Sequence, residues 1–181
     1  MTEAPERGTV LLAIAREAIA DPVEPRGEFT RGHDWLRAPA ATFVTLLAEG
    51  ELRGCIGSID ARRALGEDVA RNAHAAAYRD PRFPPLESHE HASIAVEVSV
   101  LTPRVAIIAA TEDEALASLR PGADGIFLQY RAMSATFLPQ VWESLPDPVD
   151  FLAQLRRKAG LPAHFWHADF KLSRYSVEKF Q

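Results

Sequence analysis

The chain has 181 residues, of which 47% are hydrophobic, enough for one well-buried domain or one domain with a lobe. A formal net charge of −5, with acidic and basic residues interspersed, argues against a nucleic-acid binder, which carries a basic patch or stripe. The single cysteine excludes an internal disulfide, and no apolar run approaches the ~18 residues of a membrane helix. The segment Met1-Thr2-Glu3-Ala4-Pro5-Glu6 lacks the basic and apolar regions of a signal peptide, so a cytoplasmic protein with no membrane partner is expected.

Residues Glu6 to Ala20 place Val10, Leu11, Ile14 and Ala18 three and four apart, an amphipathic helix ended by Asp21-Pro22. A Gly- and Pro-rich loop from Val23 to Pro39 holds Arg31, His33, Asp34 and Trp35. Ala41 to Ala48 and Glu51 to Ile59, joined by Glu49-Gly50, read as a β-hairpin. With a two-residue turn and regular pairing, Cys55 lies opposite Val44 and Arg53 opposite Leu46. A bulge residue would turn both to the other face.

The hairpin's second strand contains Leu52-Arg53-Gly54-Cys55-Ile56-Gly57. Residues two apart on a strand share a face, which sets Arg53 and Cys55 side by side, ~7 Å apart at Cα. A guanidinium beside a thiol favours the reactive thiolate. Gly54 and Gly57 leave room for another backbone or a ligand. The opposing reading makes Cys55 a small buried hydrophobe. A nucleophile also needs a base, and the spacing of His33, His74, His89, His91, His164 and His167 does not single one out.

Arg63 to Tyr78 forms the next helix, with a small-sided stripe of Leu65, Val69, Ala73 and Ala76 or Ala77 and an outer Glu67–Arg71 pair. Asp80-Pro81-Arg82-Phe83-Pro84-Pro85-Leu86 is a stiff extended loop. Arg82, pre-organised there, would grip an anion or pin the loop, and Glu90 is placed to pair with it. His89 and His91 would complete a metal site with Cys55, but no carboxylate or thiol has ligand spacing around them, so solvated histidines and no metal are expected.

Ala92 to Leu101 alternates as a half-buried strand. Thr111-Glu112-Asp113-Glu114 is a capping box before a short helix to Leu119, and Pro121 to Gly125 is a turn. Strands follow over Ile126–Tyr130 and Ser134–Leu138, then a short helix from Pro139 to Trp142. Asp147-Pro148 opens a helix through Phe151, Leu152, Leu155 and Ala159, which Gly160 ends. His164 to His167 reads as an aromatic cluster, and Phe170 to Phe180 as a last strand. Helices mixed with hairpins predict an α+β fold with a mixed, largely antiparallel sheet and flanking helices.

Leu52-Arg53-Gly54-Cys55-Ile56-Gly57, Asp80-Pro81-Arg82-Phe83-Pro84-Pro85-Leu86, Ser99-Val100-Leu101-Thr102, Gly122 to Ile126, Ala135-Thr136-Phe137-Leu138-Pro139-Gln140-Val141, Lys158-Ala159-Gly160 and Lys171 to Tyr175 together resemble the AMMECR1 domain family over essentially the whole chain. The resemblance implies a single two-lobed domain, residues 1–181, with a cleft between a larger and a smaller lobe. It also implies the company of Memo-type and radical-SAM proteins, as in the AmmeMemoRadiSam system, and brings no cofactor and no settled activity. His91 stands where the family tends to carry an aliphatic residue, which leaves the His89/His91 pair without family support. Two expectations follow. In the first, a thiol-dependent enzyme works on a small or peptide-like substrate in the cleft. Cys55 is its nucleophile, Arg53 a stabiliser of thiolate or substrate, Arg82 an anion clamp, and Thr136 a source of a hydroxyl. In the second, the domain is a non-enzymatic docking module for those partners and Cys55 is structural.

Overall fold

The computed structural model describes residues 4–27 and 29–181. Met1-Thr2-Glu3, read above for a targeting signal, lie outside the described residues. In chain order the elements are α1 (Ala4–Ile19), a 3₁₀ turn (Asp34–Arg37), β1 (Pro39–Ala48), β2 (Glu51–Gly57), β3 (Arg63–Ala64), α2 (Leu65–Tyr78), β4 (Ile94–Leu101), β5 (Val105–Ile107), α3 (Glu112–Ser118), β6 (Gly125–Tyr130), β7 (Met133–Phe137), a second 3₁₀ turn (Pro139–Glu143), α4 (Pro148–Lys158), β8 (Lys171–Tyr175) and β9 (Val177–Phe180). The fold is α+β, with two sheets among the described residues. The chain divides into two compact units, one reaching to Leu101 and taking in Glu178–Gln181, the other Thr102–Val177. No helix among the described residues is long and apolar enough to cross a membrane.

In the first unit the strands run β2-β1-β4-β9, with the short β3 also paired to β1. Val44 and Leu46 on β1 and Val96 and Val98 on β4 point to one face and are buried. The helices cover that face. Leu11, Ile14, Ala15 and Ala18 of α1 recur at helical spacing and are buried, as are Leu65, Val69, Ala73, Ala76 and Ala77 of α2. Each fully buried Val or Leu contributes about 1.5–3 kcal/mol, so this face holds the unit together. The alanine stripe sets the distance between layers. A side chain at Gly54 would place its Cβ 2.2 Å from the Ala76 carbonyl oxygen, so β2 lies directly against the α2 backbone.

The N-terminal end of α2 is fastened by a buried polar cluster. Asp68 Oδ2 accepts hydrogen bonds from Thr42 N (2.9 Å), Thr42 Oγ1 (2.8 Å), Ser58 Oγ (2.5 Å) and Asn72 Nδ2 (3.0 Å). Asp68 Oδ1 accepts from Arg63 Nε (2.9 Å). A buried carboxylate supplied with this many donors ties helix, strand and following loop into one piece.

In the second unit the order is β5-β8-β6-β7, all antiparallel where paired. Ile126 and Leu128 of β6 and Leu172 of β8 pack with Phe151, Leu152 and Leu155 of α4. Thr111 Oγ1 caps α3 by accepting from Glu114 N, and Asp147 caps α4 by accepting from Val149 N and Asp150 N. Both caps are those expected from the sequence. The segment Phe170 to Phe180, expected as one strand, is two. β8 belongs to the second sheet and β9 to the first, and the break falls at Ser176. There Ser176 N donates to Thr102 Oγ1 and Thr102 N to the Ser176 carbonyl, both at 2.9 Å, which takes the chain off both ladders.

Candidate functional site

Glu49 (φ 53°) and Gly50 (φ 86°) form the two-residue turn, and Ala48 pairs with Glu51 as the composition requires. The register then slips. Leu47 pairs with Leu52 but Leu46 pairs with Gly54, so Arg53 is an extra, bulged residue. Past the bulge Cys55 lies opposite Thr45, not Val44. Val44 and Leu46 face the helices, so Cys55 faces away from them and is half-buried. Thr45 Oγ1 donates to Cys55 Sγ at 3.4 Å. On the other side of Thr45 the paired residue is Glu97, two strand spacings or roughly 10 Å from Cys55.

The bulge releases Arg53 to a different partner. Its Nε and Nη2 donate to the two carboxylate oxygens of Glu90 at 2.8 and 2.9 Å, and Nη1 donates to the Pro84 carbonyl at 3.0 Å. The side chain is only 13% exposed. Hydrogen bonding from Arg53, then from the Glu87 N–H, brings the Glu90 carboxyl down to about 2 against the cost of burial. Arg53 therefore holds the proline-rich loop in place by a bidentate contact.

Arg82 pairs with Asp80, not with Glu90. Arg82 Nε donates to Asp80 Oδ1 at 2.9 Å and Nη2 to Oδ2 at 2.7 Å. The Asp80 carboxylate, 1% exposed, also accepts from Cys55 N at 2.9 Å, and Arg82 Nη2 donates to the Cys55 carbonyl at 3.2 Å. Both peptide groups of the cysteine are thus bound by one ion pair. Hydrogen bonding to Arg82, then to the Cys55 and Arg82 N–H groups, holds the Asp80 carboxyl far below the ordinary aspartate value although burial opposes it. The Arg82 guanidinium is raised by its bonds to Asp80 first, against burial, and further by the Asp80 charge. Its side chain remains 53% exposed. Sequence reasoning singled out Arg82 and passed over Asp80, whose signal was its place two residues earlier, ahead of a proline in a stiff loop.

The two glycines serve internal packing. Gly54 admits the Ala76 carbonyl, and Gly57 admits the ring of Phe43, which would stand 2.3 Å from a Cβ there. Thr136 lies in the second unit. Its hydroxyl donates to the Ile126 carbonyl at 2.8 Å and meets the Tyr175 hydroxyl at 2.6 Å. His74 is buried with Nε2 against the Pro22 carbonyl at 2.9 Å, and His91 lies 3.3 Å from the Tyr78 hydroxyl. His89 lies beside Glu87, and His167 joins an aromatic cluster with Tyr130, Phe165 and Phe170. Among the described residues no group of three His, Cys, Asp or Glu side chains is arranged to hold a metal ion. The Asp68 cluster was also missed. Its signal is that Asp68 and Asn72 fall on the same helical stripe as Leu65, Val69 and Ala76.

What the first unit assembles is therefore compact: a half-buried thiol, a hydroxyl donating to it, and a half-exposed guanidinium held beside its carbonyl. Residues 12–180 match the family model described as AMMECR1. Protein MJ0810 of Methanocaldococcus jannaschii is 39% identical over 97% of this chain and 90% of its own length. Protein PH0010 of Pyrococcus horikoshii is 34% identical over 97% and 90%. The crystal structure of the latter, an uncharacterized protein, superposes with a TM-score of 0.86 at 33% identity, covering 96% of this chain and 90% of that one.

Proposed function

This chain belongs to the AMMECR1 family, and we propose that it is a thiol-dependent enzyme in which Cys55 is the nucleophile and Arg82 holds an anionic group of a small or peptide-like substrate. The observation that carries the reading is the ion pair beneath the cysteine. Asp80 and Arg82 bind the N–H and the carbonyl of Cys55, so the cysteine's backbone is fixed by groups that also place a cation at its carbonyl. Negative charge developing on Sγ is favoured by that cation and by the Thr45 hydroxyl. The outer half of Arg82 stays open to a substrate carboxylate or phosphate. Arg53 is a positioning residue in this scheme, since it orders the loop that carries Asp80 and Arg82. Thr136, committed within its own unit, has no assigned role at the thiol.

Alkylation tests the scheme. Arg82 beside the thiol should make Cys55 prefer anionic iodoacetate over neutral iodoacetamide, relative to free cysteine, and R82Q should remove the preference. A ratio equal to that of free cysteine in the unaltered protein overturns it.

A second reading rests on a specific observation. Arg53, Gly54 and Gly57 are all consumed by packing within the unit, as a purely structural motif would require. The domain would then be an accessory module docking onto Memo-type and radical-SAM partners, with Cys55 structural. Co-purification with such partners, unchanged by C55S, would favour this reading.

A further inference from the structure

A pocket of about 390 Å³ lies in the second unit, at the start of β5 and the end of β8. Its lining includes Thr102, Val105, Arg120, Arg174, Tyr175 and Ser176. Beneath the two arginines is Asp124, fully buried in the turn before β6. Arg120 Nε donates to Asp124 Oδ1 at 2.9 Å and its Nη2 to the same oxygen at 2.5 Å. Arg174 Nη1 reaches Oδ2 at 3.4 Å, and the Arg120 backbone N–H donates to Oδ2 at 3.2 Å. One carboxylate thus orients two guanidinium groups and leaves one positive charge uncompensated.

The two arginines are unequally used. Arg120 turns two nitrogens to Asp124, while its side chain stays 59% exposed. The Arg174 side chain is 24% exposed, and the long contact with Asp124 is its single polar side-chain contact among the described residues. A guanidinium has five donors, so most of those on Arg174 and the outer ones on Arg120 take no acceptor among the described residues, and both residues line the pocket. Arg53, by contrast, spends its donors on Glu90, Pro84 and Pro85. A buried carboxylate holding two half-used arginines at a cavity mouth is how a protein pre-organises cations for a planar or tetrahedral oxyanion. Val105 on the edge strand β5, 62% exposed, adds an apolar wall for the body of such a ligand.

We infer that the Arg120–Arg174 pocket is a binding site for a small organic anion, gripped through a carboxylate or phosphate group by the two arginines and resting on Val105. The site is separate from the proposed thiol chemistry and does not depend on it. Titration calorimetry of the full chain at low ionic strength, with inorganic phosphate and separately with acetate as probes, tests it. Saturable one-to-one binding of either probe is expected, weakened about tenfold by R120Q and by R174Q, the loss of one charge-assisted contact. The preferred probe tells phosphate ligands from carboxylate ligands. C55S should bind as the unaltered protein does, which separates this site from the thiol reading. R120Q leaves the buried Asp124 carboxylate with Arg174 and the backbone N–H of residue 120, and the melting curves of R120Q and R174Q check that both variants keep the fold. Absence of saturable binding by both probes overturns the inference, and so does binding that R120Q leaves unchanged.

Discussion

Replacing Asp80 with asparagine removes the centre of the thiol site without changing its shape. In the native protein the carboxylate accepts four hydrogen bonds, from Cys55 N, Arg82 N, Arg82 Nε and Arg82 Nη2. An amide offers one oxygen, so in either orientation its NH₂ meets a backbone N–H and a guanidinium donor. A buried N–H left without an acceptor costs about 1–3 kcal/mol. The lost charge pair adds only about 0–1 kcal/mol, because Arg82 is half in water. The expected loss is about 1–4 kcal/mol, or a fall in Tm of roughly 2–16 °C for a chain of this size. Its pH dependence has a definite sign. A carboxyl lowered on folding contributes stability that is present above its unfolded value and is lost as pH falls through the folded one. The gap between D80N and the unaltered protein should therefore stay constant from neutral pH down to the ordinary aspartate value of 3.8, and close only in stronger acid. Urea denaturation across that range measures it. A gap below about 0.5 kcal/mol, within the range of ordinary surface substitutions, or one that closes above 3.8, would refute the reasoning.

Three further outcomes are expected. G54A should destabilise by about 1–3 kcal/mol, since the Cβ would strike the Ala76 backbone and one layer must move, and denaturation should show it even though alanine is a better strand residue than glycine. A double-mutant cycle over R53Q and E90Q should return a coupling of about 1–3 kcal/mol at neutral pH, and the E90Q effect alone should fade as pH falls from 4.5 toward about 2, as measured by the same unfolding assay. The Tyr175 phenol, raised by burial to about 12 although its bond with Thr136 pulls the other way, should ionise late in a phenolate absorbance titration. That signal should vanish in Y175F, and stability should fall as pH rises from the ordinary 10 through about 12.

The order of the hairpin, α2, β4 and both capped helices was legible in the residues, because each rests on local rules: two-residue turns, stripes at helical spacing and side-chain oxygens ahead of a first turn. The motifs that mark the family were legible for the same reason. The bulge was not. Regular pairing and a slip at Leu46 to Leu47 use identical residues, and what selects the slip is Arg53 reaching Glu90 while Gly54 settles on α2. Partner choice among charges was equally hidden. Glu90 was expected to meet Arg82, but Arg53 takes it and Asp80 takes Arg82. Phe170 to Phe180 alternates as one strand, and nothing local says that β8 and β9 serve different sheets.

The sequence by itself thus determined the kind of fold, the family and the presence of one thiol between an arginine and glycines. Tertiary structure alone decided which arginine binds the cysteine's carbonyl and which face the thiol takes. Propensity and turn chemistry act over a few neighbours along the chain. The bulge, the Asp80–Arg82 pair and the Asp124–Arg120–Arg174 pocket arise from groups that meet only when loop, strand and helix are packed, where burial makes each unpaired polar group costly enough to choose its partner.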